Sequence, residues 1–543
     1  MRFFLSFLWI VFCLSFPQAQ LPFTQSNLPI IVIGTNGQSI PDEPKIPADM
    51  GIIYHDNGQP NFLSEPFNAF QGLVGIERRG STSQDLSEKT PYAIELWTAT
   101  GEDTSVSLLG MPEENDWILL APFTDKTMMR DAITYLWAGK MMAWAPRTKF
   151  CELVLNGQYK GVYILTEKIK RDENRVNISK LDPDENEGDD LTGGYLLKID
   201  KCTGQLCDGF YSAHPFSGTN EYFPFYQYHY PKPEDITYEQ KSYIAQWMAG
   251  FEDMLASPDF DDPVDGFQQW IDPATFADFL LINELTKNVD GYRLSTFFYK
   301  DKESTDGRMK MGPVWDFNIA LGNADYCNAQ SPIGWALDFN LICPGDYWQI
   351  PFWWQRLIND SDTFRNLTKA RWLSLRQQTL SNEQIFHDID SIAGLLSAAQ
   401  MRNFQLYPIL NQYVWPNPFI GGSYAAEVAH LKDWLEERLA WMDSTMGNLS
   451  LGIYMTGKYH DPEVFPNPSS GYVSLDYYAR HNEKMEITVY TTAGQLVGSV
   501  SFAAYFNGEN TYQWNHHLPR GIYLYQITAE GKRVGAGKLV VAE

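Results

Sequence analysis

The sequence is poor in positive charge. Its 543 residues include 41 lysines and arginines against 67 aspartates and glutamates, a formal net charge of −26 at pH 7. Proteins that bind nucleic acid neutralise many of its phosphates with Lys and Arg. The excess of acidic residues therefore excludes a nucleic-acid partner. Hydrophobic residues at 44% and charged residues at 20% are ordinary for a globular protein and rule against disorder. The length allows about two to four domains.

Several catalytic and metal-binding motifs are missing. The nine histidines form no His-Glu-x-x-His pattern, which argues against a zinc protease. The Gly-x-Ser-x-Gly turn of serine hydrolases and the Gly-Lys-Ser/Thr step of a Walker loop are also absent. Residues 182–193 resemble a calcium loop only in part, because Glu187 and Gly193 stand where that loop needs Gly and Glu. We expect a solvated acidic loop there.

Long apolar runs are missing after the N-terminus. Residues 1–20 place Arg2 before an apolar run over 3–16, with Ala19 near a plausible cleavage point. This order predicts a secretory signal peptide, and a retained N-terminal anchor is the alternative. No later apolar run is long enough to span a bilayer, so we expect no transmembrane segment in the mature chain.

Cysteine is scarce, and no Cys-x-x-Cys redox motif occurs among the six. One of them belongs to the predicted signal peptide. In an exported protein Cys202 could pair with Cys207, and Cys327 with Cys343. Cys151 would then remain in an apolar, strand-like run as a buried free thiol.

Hydrophobic periodicity predicts both strands and helices before residue 450. Asn156-Gly157 joins two β-rich runs and is a favoured pair for a tight hairpin turn. Asp272-Pro273 is a cap followed by proline at the first helical position. Predicted strands lie at 28–34, within 70–98, on both sides of Asn156-Gly157, at 293–300 and at 308–315. Predicted helices lie at 126–143, 236–256 and 272–287, and the chain is mostly helical over 351–447.

The pattern changes after residue 447. Residues 460–543 contain short β-rich runs separated by turn sequences, which predicts a small all-β sandwich of about seven strands. We place the boundary near 450–462.

This C-terminal segment resembles the sorting domain that the type IX secretion system of Bacteroidota-type bacteria reads. The resemblance covers nearly all of 464–543, and an ordinary immunoglobulin-like module is the alternative. It implies a secreted or cell-surface protein whose partner is the type IX secretion machinery. The residues that carry it are Pro466-Asn467-Pro468, Gly494, Leu518, Gly521, Tyr523 and Lys538.

The central part of the chain resembles the CotH (spore coat protein H) kinase family. The segments that carry this resemblance are GIERRGSTSQ (75–84), NGQYKGVY (156–163), EKI (167–169), NELTKNVD (283–290) and PVWDFN (313–318). The family implies an atypical protein-kinase-like two-lobed domain at 21–450. Together with the small immunoglobulin-like sandwich expected at 460–543, the predicted fold class is α+β. It also implies transfer of phosphate from ATP to protein serine or threonine, with Mg²⁺ or Mn²⁺ as cofactor.

Phosphoryl transfer needs one carboxylate to orient the acceptor hydroxyl and another to hold the metal. The resemblance assigns these roles to Asp290 and Asp316, with two predicted strands between them. Asn318 stands where other members of the family often carry a second Asp. Ser295 stands where a typical kinase catalytic loop carries Asn. We expect Asp316, Asn318 and Ser295 to be the metal ligands, and the departures at Asn318 and Ser295 predict weaker metal binding. Asn288 or Asn323 could compensate for them.

The candidate phosphate loop is 79–84, where Arg79 adds a positive charge and Ser81 and Ser83 are small enough to let phosphate approach the backbone. The alternative is a polar hairpin turn. Lys89 is the candidate for the strand lysine that pairs with the phosphates, and a solvated surface lysine is equally consistent with the sequence.

Two further residues are assigned to nucleotide binding. Glu167 stands where the chain would pass the adenine, although a surface charge would look the same in sequence. Lys198 is a possible phosphate or carboxylate partner. The predicted helix at 126–143 would position the strand lysine, but it offers no clear glutamate, and only Asp125 and Asp131 flank it.

Three functions are therefore weighed. The first is an exported Ser/Thr protein kinase that uses ATP and acts on an unidentified protein substrate. The second is a catalytically silent surface binding or adhesion module on the same fold. The third is a carbohydrate-active surface protein, suggested by aromatic residues at 15% and by abundant carboxylates. We expect tryptophans such as Trp353, Trp354, Trp434 and Trp441 to belong to the core.

Overall fold

The computed structural model describes residues 23–80, 87–202, 207–216, 222–446, 464–465, 467–479, 484–503, 508–529 and 532–542. The predicted signal peptide and the predicted boundary near 450–462 lie outside these residues. The described chain is mixed α+β. It divides into a first unit (Met1–Phe123, Thr148–Lys168 and Ser391–Gln412) and a second unit (Thr124–Arg147, Ile169–Asp390 and Tyr413–Glu543).

The strands before residue 447 are β1 Gln25–Ser26, β2 Ile30–Gly34, β3 Ile46–Ile53, β4 Asn61–Phe62, β5 Phe70–Arg78, β6 Tyr92–Trp97, β7 Asp116–Leu120, β8 Thr148–Leu155, β9 Gln158–Glu167, β10 Tyr195–Ile199, β11 Gly209–Tyr211, β12 Phe225–Tyr230, β13 Thr296–Lys300 and β14 Met309–Met311. The helices of the described residues are α1 Arg130–Ala138, α2 Tyr238–Ala256, α3 Pro273–Thr286, α4 Phe339–Ile342, α5 Trp353–Asp360, α6 Asp362–Arg376, α7 Asn382–Leu396, α8 Ala399–Leu406 and α9 Tyr424–Thr445. None of these helices is long and apolar enough to cross a membrane.

The first unit is built around a closed β-barrel with the strand order β2-β3-β5-β6-β7-β9-β8. Strands β2 and β8 close it by parallel pairing, and the other neighbours are antiparallel. Its interior is a single apolar cluster in which Ile31, Ile52, Ile76, Leu96 and Leu153 are fully buried. Closure leaves none of these seven strands with an unpaired edge.

The hairpin predicted around Asn156-Gly157 is confirmed. Strands β8 and β9 pair antiparallel, and Asn156 and Gly157 have φ values of 50° and 73°. A two-residue turn with both φ values positive matches the twist of the strands that it joins. Cys151 lies buried in β8 as a free thiol, as the sequence predicts.

The second unit combines a five-stranded antiparallel sheet, in the order β11-β12-β10-β13-β14, with most of the helices. Helix α3 is its centre, because every residue over 276–286 is buried. Asp272 caps this helix by accepting a hydrogen bond from the Ala274 amide at 3.1 Å, as predicted. Trp353 and Trp354 are fully buried, so the assignment of these tryptophans to the core is confirmed.

Helix α1 is shorter than the predicted helix over 126–143. The Asp125 carboxylate accepts the backbone N–H groups of Thr127 (2.9 Å) and Arg130 (2.8 Å), and Met128 has a φ of 59°. These contacts hold a turn before the helix begins. The prediction failed there because apolar spacing does not distinguish a side-chain-capped turn from a first helical turn.

Both predicted disulfides are present. Cys202 pairs with Cys207, and Cys327 pairs with Cys343. Both lie in the second unit: the first follows β10, and the second joins Cys327 before α4 to Cys343 directly after it. Together with the buried Cys151 they account for every cysteine after the predicted signal peptide.

The described residues after 463 contain seven strands, as predicted. They are β15 Val464–Phe465, β16 Tyr472–Ala479, β17 Lys484–Thr491, β18 Leu496–Ala503, β19 Gly508–Asn515, β20 Gly521–Ala529 and β21 Lys532–Val541. Two antiparallel sheets result, in the orders β15-β16-β19 and β18-β17-β20-β21. Val473 of one sheet and Ile487 and Ile527 of the other belong to a common apolar core.

A buried ion pair joins α3 to α9 in the second unit. Glu284 and Arg438 have no exposed side-chain surface, and Arg438 Nη2 lies 3.2 Å from Glu284 Oε2. The carboxylate also accepts the amides of Ala336 (2.7 Å) and Leu337 (3.0 Å) and the hydroxyl of Tyr292 (3.1 Å). Burial raises the pKa of Glu284, and the Arg438 guanidinium opposes that rise. Tyr292, Ala336 and Leu337, which bind this carboxylate, all belong to the second unit.

We expect Arg438→Met to lower the free energy of unfolding by about 3–5 kcal/mol, because it leaves the Glu284 carboxylate buried without its counter-charge. Arg365→Met is the control: Arg365 pairs with Asp362, whose side chain is 86% exposed. That control should cost less than about 1 kcal/mol. Urea unfolding followed by circular dichroism measures the free energy of unfolding of both variants. Equal decreases would show that the buried pair stabilises the protein no more than the exposed pair does.

Candidate functional site

The segment between α3 and β13 carries Asp290 in a constrained backbone. Lys287, Tyr292 and Ser295 all have positive φ, at 43°, 68° and 46°. Such conformations cost roughly 1–3 kcal/mol each and persist where the surroundings fix them. Here the Tyr292 hydroxyl is fixed by Glu284. Because strained conformations of this kind cluster at functional sites, we infer that this segment has a function.

The Lys287 ammonium anchors the start of that segment. It donates to three backbone carbonyls, those of Asn328 (2.8 Å), Ser331 (2.9 Å) and Ile333 (2.6 Å). Its side chain is buried, so these carbonyls are its replacement for water. The loop around 328–333 is thereby fixed to the end of α3.

Asp290 lies partly exposed beside a buried arginine. Its side chain is 20% exposed, and Arg293 Nη2 donates to Asp290 Oδ1 at 2.6 Å. Burial raises the pKa of Asp290, while the charges of Arg293 and Lys201 oppose that rise. The carboxylate is therefore held in place, yet remains open to solvent on one side.

Asp316 follows β14 in a turn that α1 holds. It is exposed and has a φ of 66°. Its amide donates to the Tyr135 hydroxyl at 3.1 Å, and the next amide, that of Phe317, donates to Asp131 Oδ1 at 2.6 Å. Two side chains one helical turn apart on α1 thus fix the backbone that presents the Asp316 carboxylate.

Asp131 is a site residue that the sequence did not assign. Its carboxyl is buried, and burial together with the nearby Asp316 raises its pKa to about 8. The available signal was its spacing from Tyr135, since residues at i and i+4 lie on one helix face. That spacing does not reveal which backbone groups the two side chains bind, because their partners lie at residues 316 and 317.

Asn288 links the two candidate segments. Its Oδ1 accepts the Asp290 amide at 3.2 Å, and its Nδ2 donates to the Asp316 carbonyl at 3.3 Å. Tyr326 reports the same proximity: burial raises the pKa of its phenol, and Asp290 and Asp316 raise it further. The carboxylates of Asp290 and Asp316 therefore both lie near the Tyr326 side chain.

The two weaker metal candidates have different settings. Asn318 Nδ2 donates to Thr124 Oγ1 at 3.2 Å, so its Oδ1 is the atom that could bind a cation. The Asn318 carbonyl accepts Asn323 Nδ2 at 2.8 Å, which fixes the backbone there. Ser295 is half-buried at its left-handed position before β13.

Lys89 is buried inside the first unit. Its ammonium donates to the Val162 carbonyl and, at 2.9 Å, to Asn403 Oδ1, and it lies 4.8 Å from the centre of the Tyr163 ring. Burial lowers its pKa to about 7. The alternative of a solvated surface lysine is wrong, because 1% of this residue is exposed.

The other first-unit candidates lie at strand ends. Arg79 is half-buried just after β5, its amide donates to the Pro91 carbonyl at 3.1 Å, and Gly80 follows with a φ of 97°. Ser81 and Ser83 lie outside the described residues. Glu167 ends β9 and is fully buried, so the alternative of a surface charge is wrong there too.

Lys198 belongs to the sheet of the second unit. It lies on β10 with its Nζ 3.5 Å from Asp200 Oδ2, and both side chains are partly exposed. This short-range pair gives Lys198 a carboxylate partner, which is one of the two roles that the sequence allowed.

The described residues contain no group of three His, Cys, Asp or Glu side chains placed to hold a metal ion. Magnesium in phosphoryl-transfer sites keeps several waters and takes only one or two protein carboxylates besides the phosphates. The exposed Asp316 carboxylate, with Asn318 Oδ1 two residues further on, could supply that smaller number of oxygen ligands.

Comparison with known proteins assigns both parts of the chain. A family model described as CotH kinase protein matches residues 76–442, and one described as Secretion system C-terminal sorting domain matches 463–542. No curated protein matches the chain significantly. A solved structure of Pseudomonas fluorescens alkylpurine DNA glycosylase AlkC bound to DNA containing an abasic site analog is 9% identical, covering 35% of this chain and 50% of that one. Its TM-score of 0.11 carries no argument about fold.

We expect Asp131→Asn to flatten the pH dependence of stability. The folded carboxyl has its pKa raised from 3.8 to about 8, so between those values the folded state holds a proton that the unfolded state has lost. Stability from this group is therefore lost as pH rises, by about 1.4 kcal/mol per pH unit. Urea unfolding is measured at pH 5, 6 and 7 in the presence of a chelator. The free energy of unfolding of the wild type should fall with pH more steeply than that of Asp131→Asn.

The exposed Asp184 supplies the control for this measurement, because Asp184→Asn should leave the slope unchanged. If wild type and Asp131→Asn kept a constant difference across the three pH values, Asp131 would be ionised in the folded protein.

Proposed function

The chain belongs to the CotH kinase protein family, and we propose that it is an exported protein kinase that transfers the ATP γ-phosphate to serine or threonine hydroxyls of a protein substrate. The observation that carries this proposal is the joining of the Asp290 and Asp316 segments by Asn288. The sorting domain at 463–542 directs the protein through type IX secretion to the cell surface or beyond. The fold that goes with this proposal is the two-lobed kinase-like domain at 21–450, followed by an immunoglobulin-like sorting domain at 460–543.

Asp290 is the proposed base. An ionised carboxylate can accept a hydrogen bond from the acceptor hydroxyl, orient its oxygen toward the phosphorus and take its proton as the new bond forms. The partial exposure of Asp290 leaves room for a substrate hydroxyl, and the bond from Arg293 favours the ionised form.

Asp316 is the proposed principal metal ligand, with Asn318 Oδ1 and Ser295 as the weaker ones. When bound, Mg²⁺ or Mn²⁺ would neutralise the charge of the phosphate oxygens. The protein's own contribution is the fixed turn: Tyr135 and Asp131 hold the amides on either side of the Asp316 carbonyl. A ligand whose backbone is fixed loses little entropy when it binds.

ATP contacts are proposed for Arg79, Ser81 and Ser83 at the phosphates, for Glu167 at the adenine and for Lys198. Lys89 is the weakest member of this set. Its ammonium already has two oxygen partners inside the first unit and would have to leave them to reach a phosphate.

The second candidate function is a catalytically silent binding module. The internal bonds of Lys89 and of the Asn318 amide favour it, because both groups are committed to the fold. Trp353, Trp354 and Trp434 are buried and offer no stacking surface, which weakens the carbohydrate-active alternative. Trp441, which was also expected in the core, is only half-buried, and Trp415 is 44% exposed.

We expect the purified protein to incorporate label from γ-labelled ATP in the presence of Mg²⁺ or Mn²⁺. Asp290→Ala and Asp316→Ala should each lower the rate by about 100-fold or more, because each removes a group that phosphoryl transfer requires. The matched control is Asp184→Ala, an exposed aspartate that the proposed site does not use.

Three results would count against the proposal. Label incorporation that both variants retain would show that the site lies elsewhere. Nucleotide binding by calorimetry without any transfer would favour the silent module. Full activity in chelator would remove the metal from the mechanism.

Deleting residues 463–543 should abolish export of the protein, because the matched sorting domain is the address that type IX secretion reads. Immunoblots of the medium, and of intact cells with and without added protease, measure export in a bacterium with that system. The truncated protein should be absent from the medium and protected from the protease, while Asp290→Ala, which leaves the sorting domain intact, should be exported normally.

A further inference from the structure

Arg293 is a buried cation with every arm occupied. Its Nη2 donates to Asp290 Oδ1 at 2.6 Å, and its Nε donates to the Val289 carbonyl at 2.9 Å. Its Nη1 donates to the Trp348 carbonyl at 3.2 Å and reaches Asp346 Oδ1 at 3.4 Å. Only 3% of the residue is exposed. Because these bonds fix the orientation of the guanidinium, they also fix the position of the Asp290 carboxylate that it binds.

We propose that Arg293 is the positioning residue of Asp290: it takes Oδ1 and so presents Oδ2 to the acceptor hydroxyl. This inference rests on the proposed kinase function. A carboxylate whose two oxygens could exchange places would accept the hydroxyl in several geometries, and small misplacements of a reacting group lower rates strongly. Nothing in the sequence resemblance assigned Arg293, which lies three residues past Asp290.

The segment on the far side of Arg293 is rigid enough to serve as its support. The Cys327–Cys343 disulfide ties this segment down at its start. Gln349 Nε2 then donates to the carbonyls of Cys343 (3.0 Å) and Asp346 (2.7 Å). Arg293 therefore connects Asp290 to a cross-linked loop.

The guanidinium is suited to this task in a way that an ammonium is not. Its centre lies 3.9 Å from the middle of the Phe339 ring, and its planar fork reaches the Asp290 and Asp346 carboxylates together. Arginine also keeps its charge when buried, whereas lysine loses its proton more readily. Lysine at 293 could replace the charge but not the fork and the stacking.

Several charged groups face Asp290 besides Arg293. Lys201, Asp346 and Asp200 act on its carboxyl, and its own charge reaches the Tyr326 phenol. Lys201 has its Nζ 5.5 Å from the centre of the Trp348 ring. Arg293 contributes the hydrogen-bonded positive charge, so its removal should leave the carboxyl harder to ionise.

The test measures kcat, the KM for ATP and the pH dependence of kcat for the full chain with Arg293→Gln and Arg293→Lys. Arg293→Gln should lower kcat about 10- to 100-fold with less than about a threefold change in KM. The acid limb of its kcat profile should move to higher pH. Arg293→Lys should restore the acid limb more fully than kcat, because it returns the charge without the fork.

Arg308→Gln is the matched control. Arg308 pairs with Asp306 at 2.7 Å on a partly exposed turn, so its kinetics should equal those of the wild type. Asp346→Asn is the second variant, used if Arg293→Gln does not fold. It removes the outer carboxylate and should lower kcat in the same direction by a smaller factor.

The outcomes separate the two proposals. A wild type without phosphoryl transfer would overturn the kinase function and this inference with it. An active wild type whose Arg293 variants keep both kcat and the acid limb would overturn the inference alone. Equal falls in Arg293→Gln and Arg308→Gln would show only a general loss of stability, and would also overturn it.

Discussion

The buried pair of Glu284 and Arg438 is the contact on which the second unit's site depends. Its carboxylate binds Tyr292 and two amides of the 336–337 turn, and Arg438 binds the carbonyls of Pro332 and Gly334. Tyr292 belongs to the segment that carries Asp290, and the other partners belong to the stretch 332–337. A buried charge pair is weak evidence of stability by itself, but here it selects one arrangement of three loops.

Around this anchor the site is organised by backbone bonds more than by ligand-like side chains. Asn288, Asp131 and Tyr135 each bind a main-chain group at or next to Asp290 or Asp316. Left-handed φ values at Tyr292, Ser295 and Asp316 show that the backbone adopts costly conformations there. The backbone that carries the two carboxylates is therefore fixed by hydrogen bonds within the second unit.

The sequence predicted the local features well. The Asn156-Gly157 hairpin, the Asp272 cap and the seven C-terminal strands follow from turn chemistry and period. Both disulfides were pairings that export made possible, and the structure shows them formed. What it could not predict depends on distant contacts. The burial of Lys89 needs Asn403, 314 residues away, and the role of Asp131 needs the turn at 317. No local pattern encodes either partner, so the sequence left their surroundings undecided.

The closed barrel has a consequence for the order of folding. Its last seam pairs Ile30 with Glu152, and Glu152 is in turn paired with Arg402, 250 residues further along the chain. Contacts of such long range must overcome loop-closure entropy before they contribute, so they form late. A nascent chain that has emerged only to the end of β9 would hold the Glu152 carboxylate without its arginine. All seven barrel strands are present by that point, so the barrel can close before Arg402 is available to neutralise this buried carboxylate.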